Sequence, residues 1–293
     1  MEGARLHHER RGPGEEPARL AGVVHGQRRQ EVKLLLLPAL VVLAVFAAAL
    51  AALFRWSLLE FIPGSLQTGG LTLANLRGVL APQYLGAIRD TVVLSALTTV
   101  LTLVAAYPVA YALARTPSRR VRSAILVLTL APFFTGAIVR TYAWVLVLGN
   151  TVVTWPVPML FTERGVLVGL VHFSMPTMIL VLAAALSHID PVYERAAASL
   201  GASPARVFRR VTLPLSMPGI VSGGLIVFAW TLSAFPTPEL LGGGKVKMIA
   251  NVVKDLGLDS FNWPGAAAFA MLALALTLAL LTALGRLAAG RPS

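Results

Sequence analysis

An uncharged run of 21 residues, 34–54, limits what this chain can fold into more than any other feature. At 1.5 Å per residue, a helix of that length crosses a hydrocarbon core of about 30 Å. Of the 293 residues, 56% are hydrophobic and only 13% are charged, which is too apolar for a soluble domain. The sequence therefore predicts an integral membrane protein. The competing interpretation is a cleaved signal peptide, but the long segment before the run favours a retained span.

Five more apolar segments follow, so we expect an all-α, polytopic membrane protein with six transmembrane helices. The predicted spans are residues 34–54, 88–114, 123–148, 166–186, 215–235 and 265–284. Pro132 and Gly136 should bend the third span. In a regular helix Arg140 would lie about 26 Å beyond Ser123, and so near the outer interface.

The distribution of basic residues predicts the orientation. Segments that would face the cytoplasm contain 17 of the 25 Lys and Arg residues, and both termini fall on that side. We expect a disordered basic cytoplasmic tail at residues 1–33, a transmembrane domain at 34–286 and a short cytoplasmic tail at 287–293. Residues 55–87, between the first two spans, should form an outer loop with one short helix. The segment between the fifth and sixth spans should also lie outside.

Sequence motifs give little support for an enzyme. The chain has no cysteine, which excludes disulfides and thiolate chemistry. No phosphate-binding GxxxxGK[ST] motif occurs, because Lys245 is followed by Val246, so we expect no ATP hydrolysis by this chain. His172 and His188 lack carboxylates at ligand spacing, so no metal site is predicted. For His172 we expect a buried side chain that bonds to a neighbouring helix.

The long polar segment between the fourth and fifth spans, residues 187–219, is predicted to be a docking surface. Asp190 with Pro191 and Ser203 with Pro204 are signals for the start of two short helices, and Gly201 separates them. In the second helix, three apolar side chains form one stripe flanked by three arginines. The apolar residues are Val207, Phe208 and Val211, and the arginines are Arg206, Arg209 and Arg210. The alternative is a loop that lies on lipid headgroups.

The same segment contains, in this order, Ala196-Ala197, Leu200-Gly201-Ala202, Phe208, Val211-Thr212-Leu213-Pro214 and Pro218-Gly219. This pattern resembles the EAA loop of inner-membrane permease subunits of ATP-binding-cassette importers. In that family the loop is a coupling helix that sits in a cleft of the ATPase, so ATP and Mg would be bound by a partner and no cofactor by this chain. Residues expected to dock the ATPase are Glu194, Ala197, Leu200, Gly201, Ala202, Arg206, Phe208 and Arg209. The family's usual Glu falls on Arg195, however, and Glu194 stands one residue earlier.

Further motifs are Arg140-Thr141-Tyr142-Ala143-Trp144, the run from Thr237 to Gly243, Met248-Ile249 and Trp263-Pro264-Gly265. Together they resemble the permeases of spermidine/putrescine-type importers. The resemblance implies a bacterial inner-membrane complex with a second related permease, two ATPase copies and an extracytoplasmic solute-binding protein. It implies a polyamine as solute, although similar permeases serve phosphonates, opines, iron and oxyanions. Pathway candidates are Asp90, Tyr142, Trp144 and Glu239, which could equally be interfacial anchors.

Two other functions stay open at this point. A self-sufficient secondary transporter would need no docking loop, and the sequence shows no inverted repeat. A membrane-anchored interaction protein would act through its basic tail, binding anionic lipid or nucleic acid. Deletion of residues 1–30 separates the second function from transport, because uptake would continue without the tail.

Overall fold

The computed structural model describes residues 37–65 and 67–289, so the predicted basic tail at 1–33 lies outside the described residues. Contacts divide the chain into two units, Met1–Leu53 and Phe54–Ser293. In the first unit, the described residues belong to helix α1 (Leu37–Ser57), whose mean hydropathy over an 18-residue window is 2.7. The described part of the first predicted span, residues 37–54, is therefore helical, and the last turn of α1 belongs to the second unit.

After the last turn of α1, the second unit continues with a small antiparallel hairpin, β1 (Leu59–Phe61) and β2 (Thr68–Leu71), followed by the short helix α2 (Ala74–Gly78). The side-chain amide of Asn75 ties them together by donating hydrogen bonds to the carbonyls of Ser57 at 3.1 Å and Leu59 at 2.7 Å. The sequence predicted one short helix here, which is α2. It did not predict strands, because the Gly-rich β2 segment is typical of a loop.

Three helices, α3 (Pro82–Arg115), α6 (Glu163–Ser187) and α10 (Met217–Leu232), pack against one another. Two glycines on one face of α10 allow the close approach of α6. A Cβ at Gly219 would overlap Ala185, and one at Gly223 would lie 2.9 Å from the Met178 sulfur. Small residues four apart are a common way for membrane helices to pack closely. The last long helix, α13 (Trp263–Ala289), packs on α10.

The third predicted span is broken rather than regular. It consists of α4 (Arg119–Leu130), a 3₁₀ turn (Ala131–Phe134) and α5 (Ala137–Leu148), with an angle of 102° between its two halves. The predicted bend at Pro132 and Gly136 is confirmed, because proline removes a backbone donor and glycine readily leaves the helix. The assumption of a regular helix, from which the outer position of Arg140 followed, was wrong.

Within the described residues, four helices are long and apolar enough to span a membrane, and up to six spans result if each of two bent pairs counts as one. The second bent pair joins residues Pro204–Leu215 to Met217–Leu232 at 64°. The predicted outer segment before α13 contains α11 (Pro236–Gly242), α12 (Ile249–Lys254) and a π-helical turn (Asp255–Asp259). Helix α11 packs against α5 and α6 and buries Leu241, so it is part of the core.

Candidate functional site

The predicted docking segment folds as two short helical pieces. The first is α7 (Pro191–Ser199); the second joins α8 (Pro204–Val207), a π-helical turn (Phe208–Thr212) and α9 (Leu213–Leu215). The Asp190 carboxylate caps α7 by accepting a hydrogen bond from the backbone N–H of Val192 at 2.8 Å. Ser203 precedes α8 without a side-chain cap, and its carbonyl accepts from the Arg206 N–H instead. Both predicted helix starts are confirmed.

Gly201 ends α7 in the left-handed conformation, with φ of +82°. Its N–H donates to the Ala198 carbonyl at 2.9 Å, and the next N–H, from Ala202, donates to the Ala197 carbonyl at 3.1 Å. This pair of bonds is the Schellman motif, for which glycine is the usual residue. A Cβ at Gly201 would meet no atom within 4 Å, so backbone conformation, and not space, requires glycine here.

Most predicted docking residues are accessible in the structure. Leu200 is 89% exposed at the tip of the loop, and the side chains of Arg206, Arg209 and Arg210 are exposed and line one polar depression with Ser203. Phe208 is only partly available, because it packs edge to face on Tyr107 of α3 with ring centroids 5.5 Å apart. The exposed part of the loop is therefore an apolar tip beside a basic surface.

Glu194 differs from the other predicted docking residues, because its carboxylate faces the interior of this chain. Oε1 forms an ion pair with the Arg115 guanidinium at 3.0 Å and accepts from the Thr212 hydroxyl at 3.0 Å. Oε2 accepts from the Tyr111 hydroxyl at 3.1 Å. The side chains of Glu194 and Arg115 are each only 14% exposed. Sequence reasoning missed this role, because Arg115 is one of four arginines between residues 115 and 122 that together indicate a cytoplasmic turn, and nothing local distinguishes it from the others.

The four predicted pathway residues lie in different surroundings. Asp90 lines a cavity of about 450 Å³ with Lys245, Lys247 and Asp255. Tyr142 is 56% exposed. The Trp144 indole N–H donates to Nδ1 of His172 at 3.1 Å, which confirms the predicted bond to a neighbouring helix, but His172 is half-buried and not buried as predicted. Glu239 is the fourth, and its carboxylate is bound within the chain.

Lys254 is the centre of a charged cluster that includes Glu239. Its ammonium lies 2.7 Å from Asp259, 3.2 Å from Glu239 and 3.2 Å from Asp255, and hydrogen bonds to them raise the pKa of Lys254 well above its ordinary value. Burial acts to raise the pKa of Asp255, but hydrogen bonds and charge attraction from Lys247 and Lys254 outweigh it and lower that pKa. Glu239 also accepts from the Asn251 amide at 2.7 Å, so its carboxylate is already paired.

Arg140, on α5, lines two adjoining cavities of about 260 and 270 Å³ that also include Phe173, Ser174 and Trp230. Its guanidinium lies over the Phe173 ring at 4.0 Å, and Phe173 is the eleventh of the 25 residues of α6. Arg140 therefore lies near the middle of α6, and not at the end of a span. In the described part of the chain no carboxylate is within 4 Å of it, and its buried Nε has no hydrogen-bond partner.

Sequence reasoning did not identify these cavity residues as candidates. Phe173, Ser174 and Trp230 are ordinary residues of apolar spans, and no spacing distinguishes them. The available signal was the combination of Arg140 with Pro132 and Gly136, because a charge that follows a helix break in an apolar segment usually faces a polar cavity.

Comparison with known proteins places this architecture among transport proteins. Residues 106–291 match the family model described as "Binding-protein-dependent transport system inner membrane component". The "Spermidine/putrescine transport system permease protein PotB" of Haemophilus influenzae is 34% identical over 205 residues, which cover 66% of this chain and 71% of that protein. The "Molybdenum transport system permease protein ModB" of Mycobacterium bovis is 31% identical over 217 residues, which cover 72% of this chain and 81% of that protein.

One solved structure has the same fold over nearly the whole chain. It is a bacterial ABC transporter involved in the import of the acidic polysaccharide alginate, with a TM-score of 0.76 and 18% sequence identity. The match covers 94% of this chain and 100% of the other. At that identity the likeness concerns the fold alone.

Proposed function

Because this chain belongs to the family of binding-protein-dependent transport system inner membrane components, and is thus a permease subunit of an ABC importer, we propose that it forms half of a translocation pathway driven by a separate ATPase. It is a membrane-embedded transport subunit and not itself an enzyme. In the proposed complex, a P-loop ATPase dimer binds ATP and Mg, a second related permease supplies the other half, and an extracytoplasmic binding protein delivers the solute. Both termini lie on the cytoplasmic side of a bacterial inner membrane.

The observation that carries this proposal is the geometry of the loop between α6 and α10. It presents the exposed Leu200 and Gly201 as a tip, with the basic surface of α8 beside it. This shape suits a shallow cleft in a partner protein with acidic residues on its rim. Since the loop is continuous with two spans, a displacement of its tip is transmitted to α6 and α10 as rigid-body motion.

For the solute we propose a polyamine, because relatives that are 33–34% identical to this chain are named for spermidine and putrescine transport. Asp90 and Glu239 supply negative charge near the ends of spans, which suits a cation. Glu239 is paired with Lys254, so a cation would have to displace that lysine to bind it.

A second candidate, an anionic solute, is favoured by the surroundings of Arg140. The two cavities that it lines contain hydroxyl groups and a guanidinium, and none of the described residues that line them carries a carboxylate. A guanidinium near the middle of a span attracts anions and repels cations, since charge interactions there are weakly screened. The relative named for molybdenum transport is consistent with this candidate.

Purification from native membranes in mild detergent, followed by mass spectrometry, tests the complex. Stoichiometric recovery of a P-loop ATPase and a second permease supports the proposal. A chain that emerges alone and drives uptake in liposomes under an ion gradient would instead be a secondary transporter.

Uptake by the reconstituted complex separates the two solute classes. Radiolabelled spermidine and molybdate are offered to the wild type and to the Arg140→Gln variant, with Arg140→Lys as the charge-retaining control. An anionic solute predicts uptake of molybdate that falls in Arg140→Gln and is partly kept in Arg140→Lys. Spermidine uptake that is unchanged or raised by Arg140→Gln favours the polyamine.

A further inference from the structure

A set of polar contacts joins the end of α3 to the loop between α6 and α10, residues 187–219, which we call the coupling loop. Arg115, the last residue of α3, donates to the Ile189 carbonyl at 2.9 Å and forms an ion pair with Glu194 at 3.0 Å. Tyr111, one turn earlier on α3, donates to the other oxygen of Glu194. We call Arg115, Glu194, Tyr111 and Thr212 the latch.

The latch joins three parts of the chain that are distant in sequence. Glu194 lies on α7, and Thr212 is the last residue of the π-helical turn that follows α8. By accepting from both Tyr111 and Thr212, the Glu194 carboxylate holds the two short helical pieces of the loop against α3. A carboxylate with three partners in a mostly buried position leaves its partners unsatisfied when it is removed.

A second contact, near the C-terminal end of the loop, also joins the loop to α3. The Tyr107 hydroxyl lies 2.8 Å from the Ser216 hydroxyl, which is fully buried where α9 meets α10. Tyr107 also carries the edge-to-face contact with Phe208. The loop is therefore fixed to α3 at both of its ends, although α3 is not its neighbour in the chain.

We propose that the latch makes the coupling loop and the cytoplasmic end of α3 move as one body, so that ATP-driven displacement reaches α3 as well as α6 and α10. Glu194 is then a positioning residue inside the permease and does not itself contact the ATPase. This inference rests on the proposed importer function. It goes beyond that function by naming a third helix that receives the motion and the side chains that transmit it.

The test uses the full reconstituted complex and three measurements: ATPase recovery on purification, ATP hydrolysis and solute uptake. In Glu194→Ala and Arg115→Gln, we expect the ATPase still to assemble and hydrolyse ATP, while uptake per ATP falls by about tenfold or more. The charge-swapped double variant Arg115→Glu/Glu194→Arg should regain part of the lost uptake. Arg120→Gln, an exposed arginine just beyond α3, is the matched control and should behave as the wild type.

A distance measurement distinguishes the latch from a set of contacts that only stabilises the fold. Because the chain has no cysteine, spin labels can be placed at Ala112→Cys on α3 and Val192→Cys on α7, both exposed positions. In the wild type, the latch predicts that the distance between the two labels is the same with and without ATP. In the Glu194→Ala background, it predicts that this distance differs between the two conditions. A separation that changes with ATP in the wild type would overturn the proposal.

The outcomes distinguish failure of the latch from failure of the importer function. If the wild-type chain recovers no ATPase, the importer function fails. If the ATPase assembles with the wild type but is lost from Glu194→Ala, and the swapped variant does not restore it, Glu194 contacts the partner and the latch is refuted. Wild-type uptake per ATP in both single variants would also refute it.

Discussion

Replacement of Gly201 tests whether the turn between the two pieces of the coupling loop must be left-handed. With φ at +82° and open space around the position of a Cβ, any added side chain is strained through the backbone and not through packing. For alanine this strain is about 1–2 kcal/mol, and for a β-branched residue such as valine it is larger. Asparagine tolerates this conformation best among the other residues, so its strain should be smallest.

The backbone strain at residue 201 predicts a loss of transport. A penalty of about 1–2 kcal/mol reduces the fraction of loops with the native turn by a factor of roughly 5–30 relative to a competing conformation. Uptake by the reconstituted complex should therefore fall in the order Gly201→Asn, Gly201→Ala, Gly201→Val. Membrane insertion, measured as the yield of folded protein in detergent, should stay unchanged, because no core contact is altered.

A matched control exists elsewhere in the chain. Gly64, in the turn of the β1–β2 hairpin, has φ of +77° and also has no atom within 4 Å of a Cβ position. Gly64→Ala introduces the same kind of backbone strain far from the loop, and it should leave uptake near the wild-type level. Full uptake by Gly201→Val, or an equal loss in Gly64→Ala, would refute the reasoning.

Other consequences can be measured in the same preparations. Gly219→Leu should lower the free energy of unfolding by about 1–3 kcal/mol, because α6 must move away to make room for the side chain. Gly224→Ala, where a Cβ meets only ordinary van der Waals contacts, should leave it unchanged. The lowered pKa of Asp255 stabilises the fold above its ordinary pKa, so this stability should be lost as pH falls through the lowered value, and Asp255→Asn should remove that acid dependence in thermal unfolding. The raised pKa of Lys254 has the opposite sign: its contribution is complete below the ordinary lysine pKa and is lost only as pH rises through the raised value. Deletion of residues 1–30 should leave uptake intact if transport, and not tail binding, is the function.

Sequence reasoning succeeded where the signals were local. The cap at Asp190, the break at Gly201 and the bend near Pro132 all depend on the chemistry of a few neighbouring residues, and the structure has each of them. The long apolar runs likewise predicted helices, because an apolar run of that length satisfies its backbone in lipid only as a helix.

What sequence reasoning missed depends on contacts between distant residues. The partner of Glu194 lies 79 positions earlier in the chain, and nothing in the pattern around Arg115 distinguishes it from the arginines that follow. The position of Arg140 depended on the angle between α4 and α5, which Pro132 permits but does not determine. Sequence reasoning did not predict helix α11, because a segment rich in proline and glycine is typical of a loop. Helix α11 packs against α5 and α6, whose residues are distant in the sequence, and local patterns do not show such contacts.

The break between α4 and α5 has a consequence for a newly inserted chain that has not yet assembled with another subunit. The first N–H groups of α5 have no acceptor within that helix, and Phe134 beside them is 90% exposed. Hydrocarbon cannot solvate bare peptide groups, so this surface is a poor lipid-facing boundary. A newly inserted copy without a companion subunit should therefore be recognised by membrane proteases as an orphan, and its cellular half-life should lengthen when the second permease is made at the same time.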